Sequence, residues 1–462
     1  MSALDDTVAV FRRWLHLPDA TALYAVLGAV AANRLPGDPI WLLLVGSPAS
    51  GKSEILQAIG SLPDVYPTAS LTEGGLLSGT PKREKAKNST GGLLVTIGDY
   101  GILLAKDFGS VLSLHHDSRA QVLAALREVY DGSWTRNVGT DGGQTLHWEG
   151  KCGLIAGCTQ TIDRHSAVMG SMGERFVLLR LPQADAHEQG RMALKHAKKS
   201  AEMRVELSAA VVALFEKQTT APPEREEGDA ERLVNLAVLV ARCRSAVERD
   251  GHSREVELIP EPEAPARLVI VLNHLLAGLL SLGADRDTAW SVVSAAALDS
   301  IPALRRKAMS VLLAAKGEVR LSQVAEMIGY PQKTTERTLD DLVAHKVAVV
   351  HRHGSGTATT WQISDWTAKN YAAATSPDSA GGAHTSHSCK HTTDISGEVG
   401  SADGAGEGNG NADLTTSLVA AVDAPPTAAA ADGNGGIAGW TLEALEGMAA
   451  THEAEALGEG PA

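Results

Sequence analysis

Apolar residues recur at helical spacing from the start of the chain: Phe11, Trp14 and Leu15, then Leu23, Val26, Leu27 and Val30. That spacing predicts helices across residues 1–40. Pro36-Gly37-Asp38-Pro39 ends the pattern. Beyond it the period changes. Trp41-Leu42-Leu43-Leu44-Val45 is a short continuous apolar run, and further runs follow at Leu93–Ile97, Ile102–Ala105, Leu154–Ala156 and Phe176–Leu179. They alternate with helical stretches, which predicts an α/β core with a parallel sheet over 41–184. Residues 185–300 read as mostly helical, broken at Pro222-Pro223 and at Pro260-Glu261-Pro262. Residues 301–366 read as helix, helix, turn, helix and hairpin. From 367 to 462 periodicity is lost in Ala, Gly, Thr, Ser and Asp, which predicts a disordered tail with one short helix over 441–457 that could bind a partner protein.

Charge changes this picture in one respect. The net charge is −14. From Trp366 onward there are 13 acidic residues against two basic ones, so the part expected to fold is close to neutral. No apolar run reaches the length of a membrane span; the longest, Leu268–Leu282, contains Asn273 and His274. The N-terminus is acidic and unlike a signal peptide. Cys152, Cys158, Cys243 and Cys389 show no paired spacing. These features lead to the expectation of a cytoplasmic protein. His384, His387, Cys389 and His391 are close in sequence, but a disordered setting argues against a structural metal there.

The chemistry concentrates at Gly46-Ser47-Pro48-Ala49-Ser50-Gly51-Lys52-Ser53, which fits G-x-x-x-x-G-K-[ST] between a strand and a helix. The glycines let backbone N–H groups face an anion, and the helix N-terminus adds positive potential. Lys52 would reach the β- and γ-phosphates of ATP, and the Ser53 hydroxyl would hold Mg²⁺. A second acid is needed at the end of a neighbouring strand. Asp107 and Asp99 both qualify, with Asp107 favoured by the Gly turn before its strand and the helix-like stretch after it. Thr159 or Gln160, after Lys151–Cys158, could orient the attacking water. Arg175, just before an apolar strand, could reach the γ-phosphate of a neighbouring subunit, or could sit in a local ion pair.

Taken in order, these segments resemble AAA+ ATPases of the helicase branch, which includes minichromosome-maintenance and superfamily-three helicases. Gly46–Ser53 matches Walker A and Ile102–Asp107 matches Walker B. Ser133–Lys151 matches the hairpin inserted before sensor one, Thr159 falls at sensor one, and Gly173-Glu174-Arg175-Phe176 looks like the finger motif. Glu263–Leu268 resembles the sensor-two helix, which makes Arg267 a second phosphate contact, with Arg242 the weaker alternative. Lys106-Asp107-Phe108 and Gly173–Phe176 are also similar to ATPases of phages and integrative elements. The resemblance implies a P-loop sheet, a helical lid, a ring-shaped homo-oligomer and a helicase or replication initiator. One departure is clear: Phe108 stands where the family places a catalytic Glu. Glu128 or Glu84 could substitute from elsewhere.

Three features point to DNA as partner. In a ring, the hairpin would project Trp134, Arg136 and His147 into a channel, for stacking and phosphate contact. Pro81–Lys87 is a basic loop. Residues 301–366 read as a winged helix-turn-helix, with Lys333, Thr334, Thr335 and Arg337 at the start of its third helix and Arg352 on the wing. The alternative is a regulator that uses ATP as a switch and hydrolyses it slowly.

Overall fold

Helix α1 (Ala3–Trp14) starts in a capping box: Ser2 Oγ accepts from the Asp5 N–H, and Asp5 Oδ2 accepts from the Ser2 N–H. In this computed structural model residues 2–80, 90–139, 142–165, 175–221, 223–315, 317–354 and 358–375 are described. Helix α2 (Thr21–Arg34) is buried along almost its whole length. Then come β1 (Trp41–Val45), α3 (Lys52–Ile59), β2 (Val65–Thr68), α4 (Glu73–Leu76), α5 (Leu93–Ile97), β3 (Tyr100–Ala105), α6 (Gly109–Leu112), α7 (His116–Tyr130), the hairpin β4–β5 (Ser133–Val138, Gln144–Glu149), β6 (Lys151–Cys158) and β7 (Phe176–Arg180).

Strands β2-β3-β6-β1-β7, in that order, form a five-stranded sheet in which every pairing is parallel. The α/β core expected from the alternating runs is therefore present. Both faces of the inner strands are covered, which is why β1, β3 and β6 are largely apolar rather than alternating. Leu42, Leu44, Ile155 and Leu179 pack with α2 and α3 on one side. Trp41, Leu43, Leu103 and Leu154 pack with α5, α6 and α7 on the other. One apolar run departs from expectation: Leu93–Ile97 is a short helix, not a strand. Within it Leu94 and Ile97, three residues apart, are the buried pair, and Val95 is exposed, so the run has a helical period.

The next segment holds α8 (Ala186–His196), α9 (Ser200–Phe215), α10 (Asp229–Arg244), α11 (Ala266–Ser281) and α12 (Arg286–Asp299). It also contains a small hairpin, β8 (Glu248–Arg249) with β9 (Val256–Leu258), that the sequence did not signal. The apolar run Leu268–Leu282 lies mostly in α11. Among the described residues no helix is long and apolar enough to cross a membrane. Helices α11 and α2 cross so closely that a methyl group on Gly278 would collide with the Gly28 carbonyl oxygen.

The remainder comprises α13 (Ala303–Ala315), β10 (Val319–Arg320), α14 (Leu321–Ile328), α15 (Gln332–Ala344), β11 (Ala348–His351), β12 (Thr360–Ile363) and α16 (Asp365–Thr375). Strands β10-β12-β11 form an antiparallel sheet. Helix α16 corrects the expected start of the tail at residue 367. It packs on α10, burying Thr367 and Ala374, with the Arg242 guanidinium 3.8 Å from the Trp366 ring centroid and Arg232 Nε donating to the Ala374 carbonyl. The rest of the expected tail, from 376, lies outside the described residues.

Asn33 ties α2 to β1. Its Oδ1 accepts from the Ile40 N–H at 2.9 Å, and its Nδ2 donates to the carbonyls of Ala29 and Ile40. Asn33 is buried, and a Cβ at Gly153 of β6 would fall 2.6 Å from its Cγ. Asn33→Ala leaves the Ile40 N–H without its acceptor at the entrance to β1. The expected loss is about 1–3 kcal/mol, measured by chemical denaturation. An unchanged midpoint would deny Asn33 this role.

Candidate functional site

The register of the parallel strands decides which residues meet. Val45 pairs with Cys158 of β6 and with Arg180 of β7. The Gly46 N–H donates to the Cys158 carbonyl at 3.1 Å, and the Phe108 N–H donates to the Gly157 carbonyl at 2.7 Å. The loop after β1, Asp107 after β3, Thr159 after β6 and the end of β7 thus all leave the sheet at one edge. Because β6 lies between β1 and β3, Asp107 sits two strand spacings, about 10 Å, from the axis of β1, with Thr159 between them.

The loop Gly46–Ser53 has the bend its sequence calls for. Ala49 and Gly51 are left-handed, with φ of 61° and 87°. Gly51 provides no side-chain cap to the first turn of α3. Lys52 Nζ donates to the carbonyls of Gly46 (2.7 Å) and Ser47 (2.6 Å) and to Ser50 Oγ (3.3 Å). Partial burial pulls the Lys52 ammonium below its ordinary range, and Cys158 and Asp107 oppose that shift. Burial, reinforced by Asp107, pushes the Cys158 thiol up to about 11. Helix α8 touches the loop through Gln189 Nε2 on the Ala49 carbonyl. The hydroxyl of Ser53 and the carboxylate of Asp107 are both exposed at this edge, and Asp107 Oδ1 accepts from the Gly109 N–H at 2.9 Å.

Sequence reasoning missed the polar groups beside Thr159. Thr159 Oγ1 lies 2.6 Å from Thr161 Oγ1. In the same turn Asp163 binds the Arg180 guanidinium with both oxygens, at 2.8 Å each. The usable signal was the end of the last apolar run: a residue closing a parallel strand shares the edge with the phosphate loop.

Several expected site residues lie elsewhere. Asp99 precedes β3, and the Lys151 N–H donates to its carbonyl at the opposite edge of the sheet. Arg175 precedes β7, also at that opposite edge. It is only 8% exposed, pairs with Asp131 at 2.6 Å and lies over the Tyr130 ring. A guanidinium held inside its own chain is not presented to a neighbour, so the finger role is not supported. Arg267 pairs with Glu263, and its field falls on Tyr130 at the same far edge, so it does not reach the phosphate loop. Arg242 is covered by Trp366. Glu128 closes α7 beside Tyr130 and is likewise remote. Glu84 and the basic loop, together with Gly173 and Glu174, lie outside the described residues.

The DNA candidates also divide. In the hairpin, Trp134 pairs with Trp148 and Arg136 with Leu146, on the face turned to the core. Trp134 is 7% exposed, and Arg136 binds Glu73 and the Leu77 carbonyl, so neither is offered to a base or a phosphate. The other face exposes Thr135, Asn137, Thr145 and His147, linked in pairs by hydrogen bonds. At the start of α15, Lys333 is exposed, and Thr334 and Arg337 are half-buried. Thr335 is fully buried, its hydroxyl donating to the Pro331 carbonyl, so it faces the core instead. Arg352 is exposed after β11.

No family model matches this chain. No curated protein matches it either. Among solved structures it is similar to an apo form of the NrS-1 C-terminal region, at 10% identity over 78% of this chain and 75% of that one, with a TM-score of 0.21. A second apo structure of that region covers 78% of this chain and 74% of its own at 10% identity and a TM-score of 0.19. Scores this low carry no argument.

The Arg175 assignment has a direct test. Arg175→Ala removes a charged hydrogen bond and the cover over Tyr130. The expected result is a stability loss of about 1–3 kcal/mol in chemical denaturation. Unchanged stability together with lost nucleotide turnover would restore the finger role.

Proposed function

We propose that this chain binds Mg–ATP at Gly46–Ser53 as a P-loop ATPase of the AAA+ kind and couples the nucleotide to DNA. The observation that carries the reading is the shared sheet edge: loop, Thr159 and Asp107 lie side by side, with Lys52 over the loop. Lys52 exchanges its bonds to the Gly46 and Ser47 carbonyls for bonds to the β- and γ-phosphates. The two exposed oxygen donors, Ser53 and Asp107, suit Mg²⁺ and would hold it, directly or through water. When bound, the ion neutralises charge on the β- and γ-phosphates. Thr159, just past the intervening strand β6, would orient a water.

DNA contact is assigned to residues 301–366. Three helices and an antiparallel sheet, whose strand β10 lies between the first two helices and whose β11 and β12 follow the third, support the winged helix-turn-helix reading, with α15 as the helix that enters a major groove. Lys333, Thr334, Arg337 and Arg352 are its contacts. The burial of Arg175 removes the residue on which a ring-shaped homo-oligomer depended, so assembly is not part of the proposal.

A second reading rests on Phe108. It fills the place of a catalytic Glu and is fully buried. This favours a DNA-binding regulator that ATP switches with little turnover. Steady-state hydrolysis with and without single-stranded and duplex DNA separates the two. Turnover that rises with DNA supports the motor; tight binding with negligible turnover supports the switch. In either case Lys52→Ala is expected to weaken Mg–ATP binding about 10- to 100-fold in a fluorescence titration. Wild-type affinity in Lys52→Ala would remove the nucleotide site from this loop.

A further inference from the structure

Strand β7 ends the sheet, so one row of its backbone groups has no neighbouring strand. The turn between α12 and α13 closes that row. The Leu178 N–H donates to Ser300 Oγ at 3.0 Å, the Arg180 N–H to Asp299 Oδ2 at 2.7 Å, and Arg180 Nε to the Asp299 carbonyl at 3.1 Å. Arg306, one turn into α13, forms an ion pair with Asp299.

Asp163 closes the junction from the other side. It holds the Arg180 guanidinium in a bidentate pair and accepts, through Oδ1, from the backbone N–H of Ala303 at 3.1 Å. Ala303 is the first residue of α13, the helix that opens the C-terminal module. Asp163 is four residues from Thr159, and the strand end before Thr159 carries the Gly46 N–H on the Cys158 carbonyl. One carboxylate therefore touches both the last strand and the first helix of the module, from a turn that leaves the same sheet edge as the loop Gly46–Ser53.

The charged groups of this junction are mostly covered. Arg180, Asp163, Arg306 and Asp299 have side-chain exposures of 16%, 27%, 24% and 5%. A displacement of the Thr159–Asp163 turn either drags Arg180 and Ala303 along or leaves poorly solvated charges unpaired, and the second alternative is costly. We propose that Asp163 is a positioning residue that transmits the state of the phosphate loop to α13 and through it to the C-terminal module. This assignment rests on nucleotide binding at Gly46–Ser53.

The test is amide hydrogen exchange of residues 303–315 in the full chain, with and without saturating Mg–ATP, alongside a titration of Mg–ATP affinity. Wild type is expected to change its exchange in this helix on binding, by about 5-fold or more. Asp163→Asn keeps the shape and removes the charge that holds Arg180. It is expected to bind Mg–ATP within about 3-fold of wild type, below the 5-fold that marks coupling, and to lose the response in α13. Ala303→Pro is the second variant, and it carries the test if Asp163→Asn does not fold. It deletes the N–H that Asp163 receives, at a first helical position where proline is tolerated, and leaves the Asp163–Arg180 pair in place. A loss of response in either variant with affinity retained supports the assignment. A wild type that binds Mg–ATP with no change in α13, or variants that respond like wild type, overturns this assignment alone. A wild type that binds no Mg–ATP overturns the nucleotide reading and this one together.

Discussion

The parallel register of β3, β6 and β1 is the constraint on which the rest depends. Slipping one of these strands by a residue would turn every side chain to the other face. Here both faces are buried: Leu42 and Leu44 belong to one core, Trp41, Leu43 and Val45 to the other. A slip is therefore penalised twice, which fixes where each strand ends. With the ends fixed, the loop after Val45, Asp107 and Thr159 emerge together without needing any direct bond to one another. The bend at Ala49 and Gly51 then places Lys52 over its own loop.

The helical segment 186–299, expected as a lid, is fastened close to that edge at both ends. Gln189 reaches the Ala49 carbonyl near its start, and Asp299 and Ser300 cap β7 at its finish. Between them α11 lies against α2 at the Gly28–Gly278 crossing, and α2 in turn lies on the sheet. Movement of this segment as a free lid would uncover the backbone of an end strand and open a contact with no room for even a methyl group.

What the sequence disclosed and what it withheld follow from one distinction. The bend of the Gly46–Ser53 loop, the α/β alternation and the position of Asp107 at the end of β3 were legible because spacing along the chain determines them. Roles that depend on strand direction were not. A residue before a parallel strand goes to one edge and a residue after it to the other, so Arg175 and Asp99 lie far from the loop and Arg180 lies near it. Arg267 fails for a related reason, since α11 begins beside Tyr130 at the far edge. Trp134 and Arg136 show the period of two. They share a face, and the apolar Leu146 and Trp148 opposite them mark that face as the inner one. Thr335 belongs to a helical series with Thr338, Leu339 and Leu342, all buried, and that spacing was readable in the sequence.

Phe108 sets a limit on the chemistry of this edge. Its N–H is held by the Gly157 carbonyl and its side chain packs in the second core, with ring centroids 5.2 Å from Phe176. The backbone there aims the side chain inward. A carboxylate placed at 108 would enter an apolar cluster and would be raised in pKa rather than presented to a water. A catalytic glutamate at position 108 is therefore not one substitution away. Among the described residues, Asp163 is the further carboxylate, beside Asp107, whose field reaches Cys158 at this edge. It is already committed to Arg180 and Ala303. Freeing it to act on a water would loosen its hold on Arg180 and α13.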